Sequence, residues 1–120
     1  MTISTEVVRY SDENRLLLIH IKPKNIGKVL VTPGKDGLVL TVRKVPDDYK
    51  PGTVDLDKLS EVCEVNVLKK HPEGYELEPG VEYDEVEALI VPKGAIYAVD
   101  AVMDLGDSTE IDQMHVVQVE

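Results

Sequence analysis

The chain has no phenylalanine, no tryptophan and a single cysteine among its 120 residues. One cysteine cannot form an internal disulfide, so the fold does not depend on an oxidising compartment. Without Phe and Trp, the core has to be built from Val, Leu, Ile and Ala, with Tyr as the only aromatic residue. Because β-branched side chains pack well on a pleated surface, this composition favours strands.

Long apolar runs are also missing. No stretch reaches the roughly 18 apolar residues of a membrane-spanning helix, so no membrane insertion is expected. The first residues, Met1 to Glu6, lack the basic start and apolar centre of a signal peptide. The compartment stays unknown, because an exported protein would have the same sequence once its signal had been removed.

Basic residues are too few and too scattered for a nucleic-acid interface. The net charge is −10, and no basic face accompanies a set of stacking aromatics. Residues 15–50 nevertheless carry eight basic and three acidic residues, whereas residues 71–92 carry seven acidic residues and no Lys or Arg. If these segments face apart, their complementary charges favour homo-association or pairing with a neighbouring domain. The alternative is a charge that only maintains solubility.

Apolar residues recur with a period of two along most of the chain, which is typical of half-buried strands. Turn-forming residues separate these segments at intervals of about ten residues. The pattern predicts one domain over residues 1–120, an all-β antiparallel sandwich of about seven or eight strands. The predicted strands are 6–10, 15–22, 28–32, 38–43, 62–68, 82–91, 96–103 and 114–119.

The alternation also predicts which side chains share a face. Asp36-Gly37 lies between apolar segments and predicts a hairpin between residues 28–32 and 38–43. In residues 82–91, apolar side chains alternate with Glu85 and Glu87. The sets predicted to share a face are Leu17, Ile19 and Ile21; Leu38, Leu40 and Val42; and Tyr97, Val99, Ala101 and Met103.

Residues 55–64 allow a second interpretation. Leu56, Leu59 and Cys63 have helical spacing, so a short helix is the alternative to a strand here. Cys63 shares its parity with Val65 and Val67, which indicates a core position. A catalytic thiol is the less favoured interpretation, because no basic activating group lies nearby in the sequence.

Tyr97 follows the Pro92-Lys93-Gly94 turn at the start of the penultimate strand. This position resembles the tyrosine corner of immunoglobulin-like domains, in which the phenol bonds to backbone a few residues upstream. The resemblance places Val99 and Ile19 where antibody domains have their disulfide, which implies an aliphatic core in its place.

Three motifs resemble the bacterial cell-adhesion-related domain called CARDB, a member of the immunoglobulin-like group. They are the strand ending in Asn25-Ile26-Gly27, the turn from Leu77 to Gly80, and the strand from Gly94 that leads to an acidic turn ending at Asp112. The resemblance covers about residues 14–112. Because such domains are usually non-catalytic, it implies a binding or structural module with a protein or glycan partner.

The acidic turn at residues 104–112 is the candidate metal site. Carboxylates on one turn suit a hard cation such as calcium, although the spacing is not that of an EF-hand. A calcium-dependent binding domain, or a small enzyme that uses this turn, is therefore the alternative function; a solvated turn is the plain interpretation. The candidate ligands are Asp104, Asp107, Glu110 and Asp112.

Exposed aromatic residues could contact a glycan or protein partner. Tyr49 and Tyr75 lie in loops beside Pro or Gly, so they are the candidate binding residues, and anchoring of those loops is their alternative role. Three dispersed histidines, no phosphate-binding glycine loop and no zinc-like spacing leave no candidate catalytic residue. We therefore expect a non-enzymatic module without a cofactor.

Overall fold

The computed structural model describes residues 1–34, 37–106 and 109–120, and within them the regular structure is almost entirely strand. Leu56–Lys58 and Val67–Lys70 form 3₁₀ turns. No helix in these ranges has the length and apolarity needed to cross a membrane. The strands are β1 Thr2–Arg9, β2 Asn14–Lys22, β3 Leu38–Val45, β4 Glu61–Asn66, β5 Glu85–Pro92, β6 Ala95–Gly106 and β7 Thr109–Val119.

The strands form two antiparallel sheets, with the orders β1-β2-β5 and β4-β3-β6-β7. These orders are those of strands A-B-E and C′-C-F-G of an immunoglobulin-like sandwich. Each sheet contributes one apolar face to the space between them, so the antiparallel sandwich predicted from the alternation is confirmed.

The core is aliphatic, with one aromatic ring. The predicted faces of β2, β3 and β6 are all buried between the sheets, and Cys63 packs against their edge. Ile19 and Val99, which stand where antibody domains have a disulfide, are both fully buried. The fully buried large side chains are Tyr97, Leu17, Ile19, Ile21, Leu38, Leu40, Met103, Val42, Val67, Val91, Val99 and Val119.

The tyrosine corner is present. The Tyr97 hydroxyl donates a hydrogen bond to the carbonyl oxygen of Pro92, five residues upstream, at 3.2 Å. The turn between them needs Gly94, whose φ of +81° is a left-handed conformation that side chains with a Cβ rarely adopt. Burial raises the pKa of the Tyr97 phenol, so the hydroxyl stays protonated as a donor.

The strand predicted at residues 28–32 is not formed. Only Val31 pairs, through a single bridge to Leu77. The Asn25 side chain forms hydrogen bonds with backbone groups here instead. Its amide group donates to the carbonyls of Val29 and Leu77, and its oxygen accepts from the Gly27 amide. These side-chain bonds satisfy the backbone locally and compete with strand pairing.

Three further predictions change. The hairpin at Asp36-Gly37 is wrong in its partner, because β3 pairs with β4 and β6; Asp36 itself lies outside the described residues. The alternative helix over residues 55–64 is reduced to one 3₁₀ turn followed by strand β4. The acidic turn is shorter than predicted, because β6 continues to Gly106 and β7 begins at Thr109.

Part of the basic segment of the chain lies beside the acidic segment. Strand β2, from the basic segment, pairs with β5, from the acidic one. At one end of the sandwich, the backbones of Lys24 and Glu82 form an isolated antiparallel β-bridge. Strand β3, also from the basic segment, lies in the other sheet, and homo-association through charged faces stays a prediction.

Candidate functional site

Strand β5 turns Glu85 and Glu87 inward together with Leu89 and Val91, and it turns Val86, Ala88 and Ile90 outward. Glu85 lies opposite Ile21 on β2, a core residue, and is only 8% exposed. Val86 and Ile90 point to the other side of the sheet and are 41% and 48% exposed. The alternation in the sequence shows which residues of a strand share a face. Because both faces of β5 carry apolar side chains, it does not show which face is buried.

Two basic side chains, at the end of the 3₁₀ turn before β5 and directly after it, lie against the inward carboxylates. His71 Nε2 lies 3.0 Å from Glu85 Oε1, and Lys70 Nζ lies 3.4 Å from the other Glu85 oxygen and 3.1 Å from Glu87. Partial burial lowers the pKa of Lys70, but its bonds to Glu87 and Glu85 outweigh that effect and raise it. Lys70, His71, Glu85 and Glu87 therefore form a polar cluster at the edge of the sandwich beside strand β5.

Lys70 also covers part of the open edge of β5. Its ammonium group lies 3.3 Å from the carbonyl oxygen of Val86. A charged group at an unpaired edge, and charges at inward-facing positions, oppose the addition of another strand. The inward carboxylates therefore have a structural role at this edge.

The outer side of the three-stranded sheet is apolar over much of its area. Val8, Leu16 and Ile90 lie side by side in register across the three strands, and Glu6, Leu18 and Ala88 form the next row. Val8, Ala88 and Ile90 are exposed, and Leu16 and Leu18 are half-buried. We call this surface the outer apolar face; its residues are Val8, Leu16, Leu18, Val86, Ala88 and Ile90.

The outer side of the other sheet carries a buried polar group. Asp100 on β6 is 7% exposed, and Arg43 Nη1 lies 3.8 Å from its Oδ2. Burial raises the pKa of Asp100 to about 7. Side-chain hydrogen bonding with Asp112 and repulsion between the two carboxylates raise it as well, while the positive charge of Arg43 lowers it. The loop of residues 46–60 leaves an open groove beside Asp112 on this side.

The four predicted calcium ligands are not all described. Asp104 and Glu110 face each other across the β6–β7 hairpin, and Asp112 lies two residues further along β7. Asp104 Oδ1 accepts a hydrogen bond from the Gly106 amide at 2.8 Å. Asp107 lies outside the described residues, within which no three His, Cys, Asp or Glu side chains are grouped as metal ligands. The calcium site stays a prediction.

The two predicted contact tyrosines line different pockets and act as loop anchors. The Tyr49 hydroxyl donates to the carbonyl of Val54 at 3.1 Å. The Tyr75 ring lies 5.2 Å from the His71 ring and 5.6 Å from the Tyr83 ring. Burial and then the neighbouring Glu85 carboxylate raise the pKa of Tyr75. Their role in binding a partner stays a prediction.

The histidines have separate partners. His20 lies 3.2 Å from the Asp84 carboxylate, His71 contacts Glu85, and His115 lies 3.3 Å from the Thr5 hydroxyl. Sequence reasoning missed the pairing of His71 with Glu85, because the inward orientation of β5 is not visible in a pattern of alternation.

Comparisons with known proteins agree with the fold. A crystal structure of Bacteroides uniformis beta-glucuronidase is similar to this chain with a TM-score of 0.63 at 15% identity. The match covers 98% of this chain and 13% of that one, so the chain spans a small part of the length of that protein. No family model and no curated protein matches the sequence. Topology, tyrosine corner and structural similarity together define an immunoglobulin-like β-sandwich.

Proposed function

We propose that this chain is a non-catalytic immunoglobulin-like module that binds a protein partner through its outer apolar face. The observation that carries the proposal is the orientation of β5. This strand places Glu85 between the sheets and leaves Val86, Ala88 and Ile90 in solvent.

The energetics favour a covered face. Full burial of a Val or Ile side chain stabilises a protein by about 1.5–3 kcal/mol relative to exposure, and an inward carboxylate has to be compensated by charged partners. The same strand buries Val91 and packs Leu89 against the core, so Val86, Ala88 and Ile90 are the apolar side chains that a partner could cover. A contiguous apolar surface on a sheet is characteristic of an interface, and a partner that covers it recovers the burial energy.

The proposal extends to the family. The Asn25-Ile26-Gly27 and Leu77-to-Gly80 motifs, on which the resemblance to the CARDB domain was based, meet in space. The Asn25 amide donates to the Leu77 carbonyl at 2.9 Å, and the Gly80 amide donates to the Asn25 carbonyl at 2.7 Å. This joint role of the two motifs supports membership of that group and, with it, a binding or structural function.

Site-specific photo-crosslinking tests the outer apolar face. A photoreactive benzoylphenylalanine at position 86 should give one protein adduct of defined mass in cells of the natural source. Adding I90D places a charge on the outer apolar face, beside Leu16, and should abolish that adduct. The matched control is V116D, because Val116 is a half-exposed valine on the outer side of the other sheet.

The two results separate clearly. Loss of the adduct with I90D and its retention with V116D support a protein interface on this face. An adduct that persists in I90D, or the absence of any adduct from position 86, overturns the proposal. Thermal melts of both variants establish that each remains folded.

A further inference from the structure

An apolar cavity of about 160 Å³ opens at the end of the sandwich at which β1 begins and β2 ends. Its lining comes from β6, from β7 and from the segments that precede β1, follow β2 and precede β5. Met103 and Ile111 are neighbours across the β6–β7 hairpin, and a backbone bridge joins Val31 to Leu77. The apolar side chains that the argument uses are Met1, Val31, Leu77, Met103, Leu105 and Ile111.

The volume of the cavity determines the size of the group that it can hold. Protein interiors are packed as densely as organic crystals and keep few voids larger than a water molecule. An engineered apolar cavity of about 150 Å³ in another protein stays free of water and binds benzene, a ring of about six carbon atoms. The cavity at this end of the sandwich therefore takes an apolar group of about six carbon atoms.

The interior of the cavity offers no polar partner to such a group. Among the described residues that line it, the uncharged polar side chain is Asn25, which is buried. Both hydrogens of its amide group are used, in bonds to the carbonyls of Val29 and Leu77, and its oxygen accepts from the Gly27 amide. The part of a ligand inside the cavity is therefore apolar.

Lys24 gives the cavity a charge. It is the charged residue of the lining, and it is exposed. Its backbone pairs with Glu82, but within the part of the chain that the structure describes its side chain forms no salt bridge. Residues 14–34 contain four basic residues and no acidic one. A free ammonium group beside an apolar cavity is complementary to an anion with an apolar chain.

We propose that this cavity binds a short aliphatic carboxylate. The alkyl chain lies inside the cavity, and the carboxylate group lies at the ammonium group of Lys24. Removing the chain from water favours binding, and the charge-assisted bond to Lys24 fixes the head group at the opening. The cavity is not part of the outer apolar face, so this site is separate from the proposed protein interface.

A titration with three small molecules tests the proposal. The probes are hexanoate, hexanol and acetate, each followed by NMR of the ¹⁵N-labelled chain. We expect hexanoate to shift the amides of residues 24–31, 77 and 103–105 until they saturate. Hexanol has the same chain without the charge and should bind at least five-fold more weakly. Acetate has the charge without the chain and should cause no saturable shift at the concentrations that saturate with hexanoate.

Matched lysine variants test the head group. K24Q should weaken hexanoate binding about five-fold or more and change hexanol binding less than two-fold. The control is K28Q, because Lys28 is an exposed lysine of the same segment that lies outside the lining of the cavity. K28Q should change the affinity for hexanoate less than two-fold.

Matched valine variants test the cavity. V31F places a larger side chain in the lining and should abolish binding of both hexanoate and hexanol. The control is V29F, because Val29 is 72% exposed and lies outside the lining. V29F should bind both probes as the unmodified chain does, and the amide spectrum of each variant shows whether it is folded.

Each remaining outcome counts against the proposal. Equal affinities for hexanol and hexanoate, or equal losses in K24Q and K28Q, would show that Lys24 does not recognise the carboxylate. Shifts confined to other residues, or binding that persists in V31F, would show that the ligand does not enter the cavity. Because the cavity and the outer apolar face have no residue in common, this test is independent of the crosslinking result.

Discussion

At the residue scale, Tyr97 joins the core to the turn before its strand. Replacing it with phenylalanine removes one hydrogen bond, to the Pro92 carbonyl, and keeps the buried ring. We expect Y97F to lose about 1 kcal/mol of unfolding free energy, the net value of a typical hydrogen bond. Urea unfolding followed by circular dichroism measures it.

The control for Y97F is Y10F, because Tyr10 is an exposed phenol beyond the end of β1. Y10F should unfold at the same urea concentration as the unmodified chain. If the two variants have equal midpoints, the corner contributes no stability of its own.

Asp100 is the second group whose effect belongs to the residue scale. The pKa of Asp100 is about 7 in the folded chain, whereas the ordinary value for an aspartate is 3.8. Between these two pH values, the folded chain therefore holds a proton that the unfolded chain has released. Stability from this group is therefore present below about pH 4 and is lost as the pH rises to 7. The groups that face it are Arg43, Asp57 and Asp112.

D100N should remove this part of the pH dependence, because asparagine stays neutral. We expect the unmodified chain to lose about 1–2 kcal/mol between pH 5 and pH 8 relative to D100N, with the full shift discounted because the pair with Asp112 titrates together. Urea unfolding at both pH values measures the difference, and E64Q, which removes one exposed carboxylate from the same sheet, should behave as the unmodified chain does. Parallel pH profiles for D100N and the unmodified chain would contradict the assignment.

At the scale of the element, β5 is an open edge strand with apolar outward positions. Its inward carboxylates and Lys70 are what distinguish this edge from a strand that accepts another chain. Replacing Glu87 with valine leaves Glu85 as the one inward carboxylate of the strand and removes one partner of Lys70. We expect E87V to self-associate at concentrations at which the unmodified chain does not.

Sedimentation velocity over a range of concentrations measures that association. E13V is the control, because Glu13 lies in the turn between β1 and β2 and the same change there leaves β5 intact. A sedimentation coefficient for E87V that does not depend on concentration, as for E13V, would show that Glu87 does not protect the edge.

The loop at the end of the sandwich is also an element whose shape depends on one residue. Asn25 is buried, and it bonds to Val29, Gly27 and Leu77 with its side chain. Its sequence context signalled a turn, which is correct. The partner Leu77, 52 positions away, could be found only in the folded chain.

At the scale of the whole molecule, the two sheets separate two surfaces of different chemistry. The outer apolar face lies on β1-β2-β5, and the open groove beside Asp112 lies on the side of β7 with the loop of residues 46–60. The glucuronidase structure contains this fold within 13% of its chain.

The sequence alone determined the sandwich, most strand positions, the buried faces of β2, β3 and β6, and the tyrosine corner. These depend on alternation and turn chemistry, which act between neighbours in the chain. Only the tertiary structure decided that β5 turns Glu85 and Glu87 inward, that residues 28–32 form no strand, and that Asp100 lies beside Asp112. The physical reason is that orientation at an edge, and the pairing of charges, depend on partners far away in sequence.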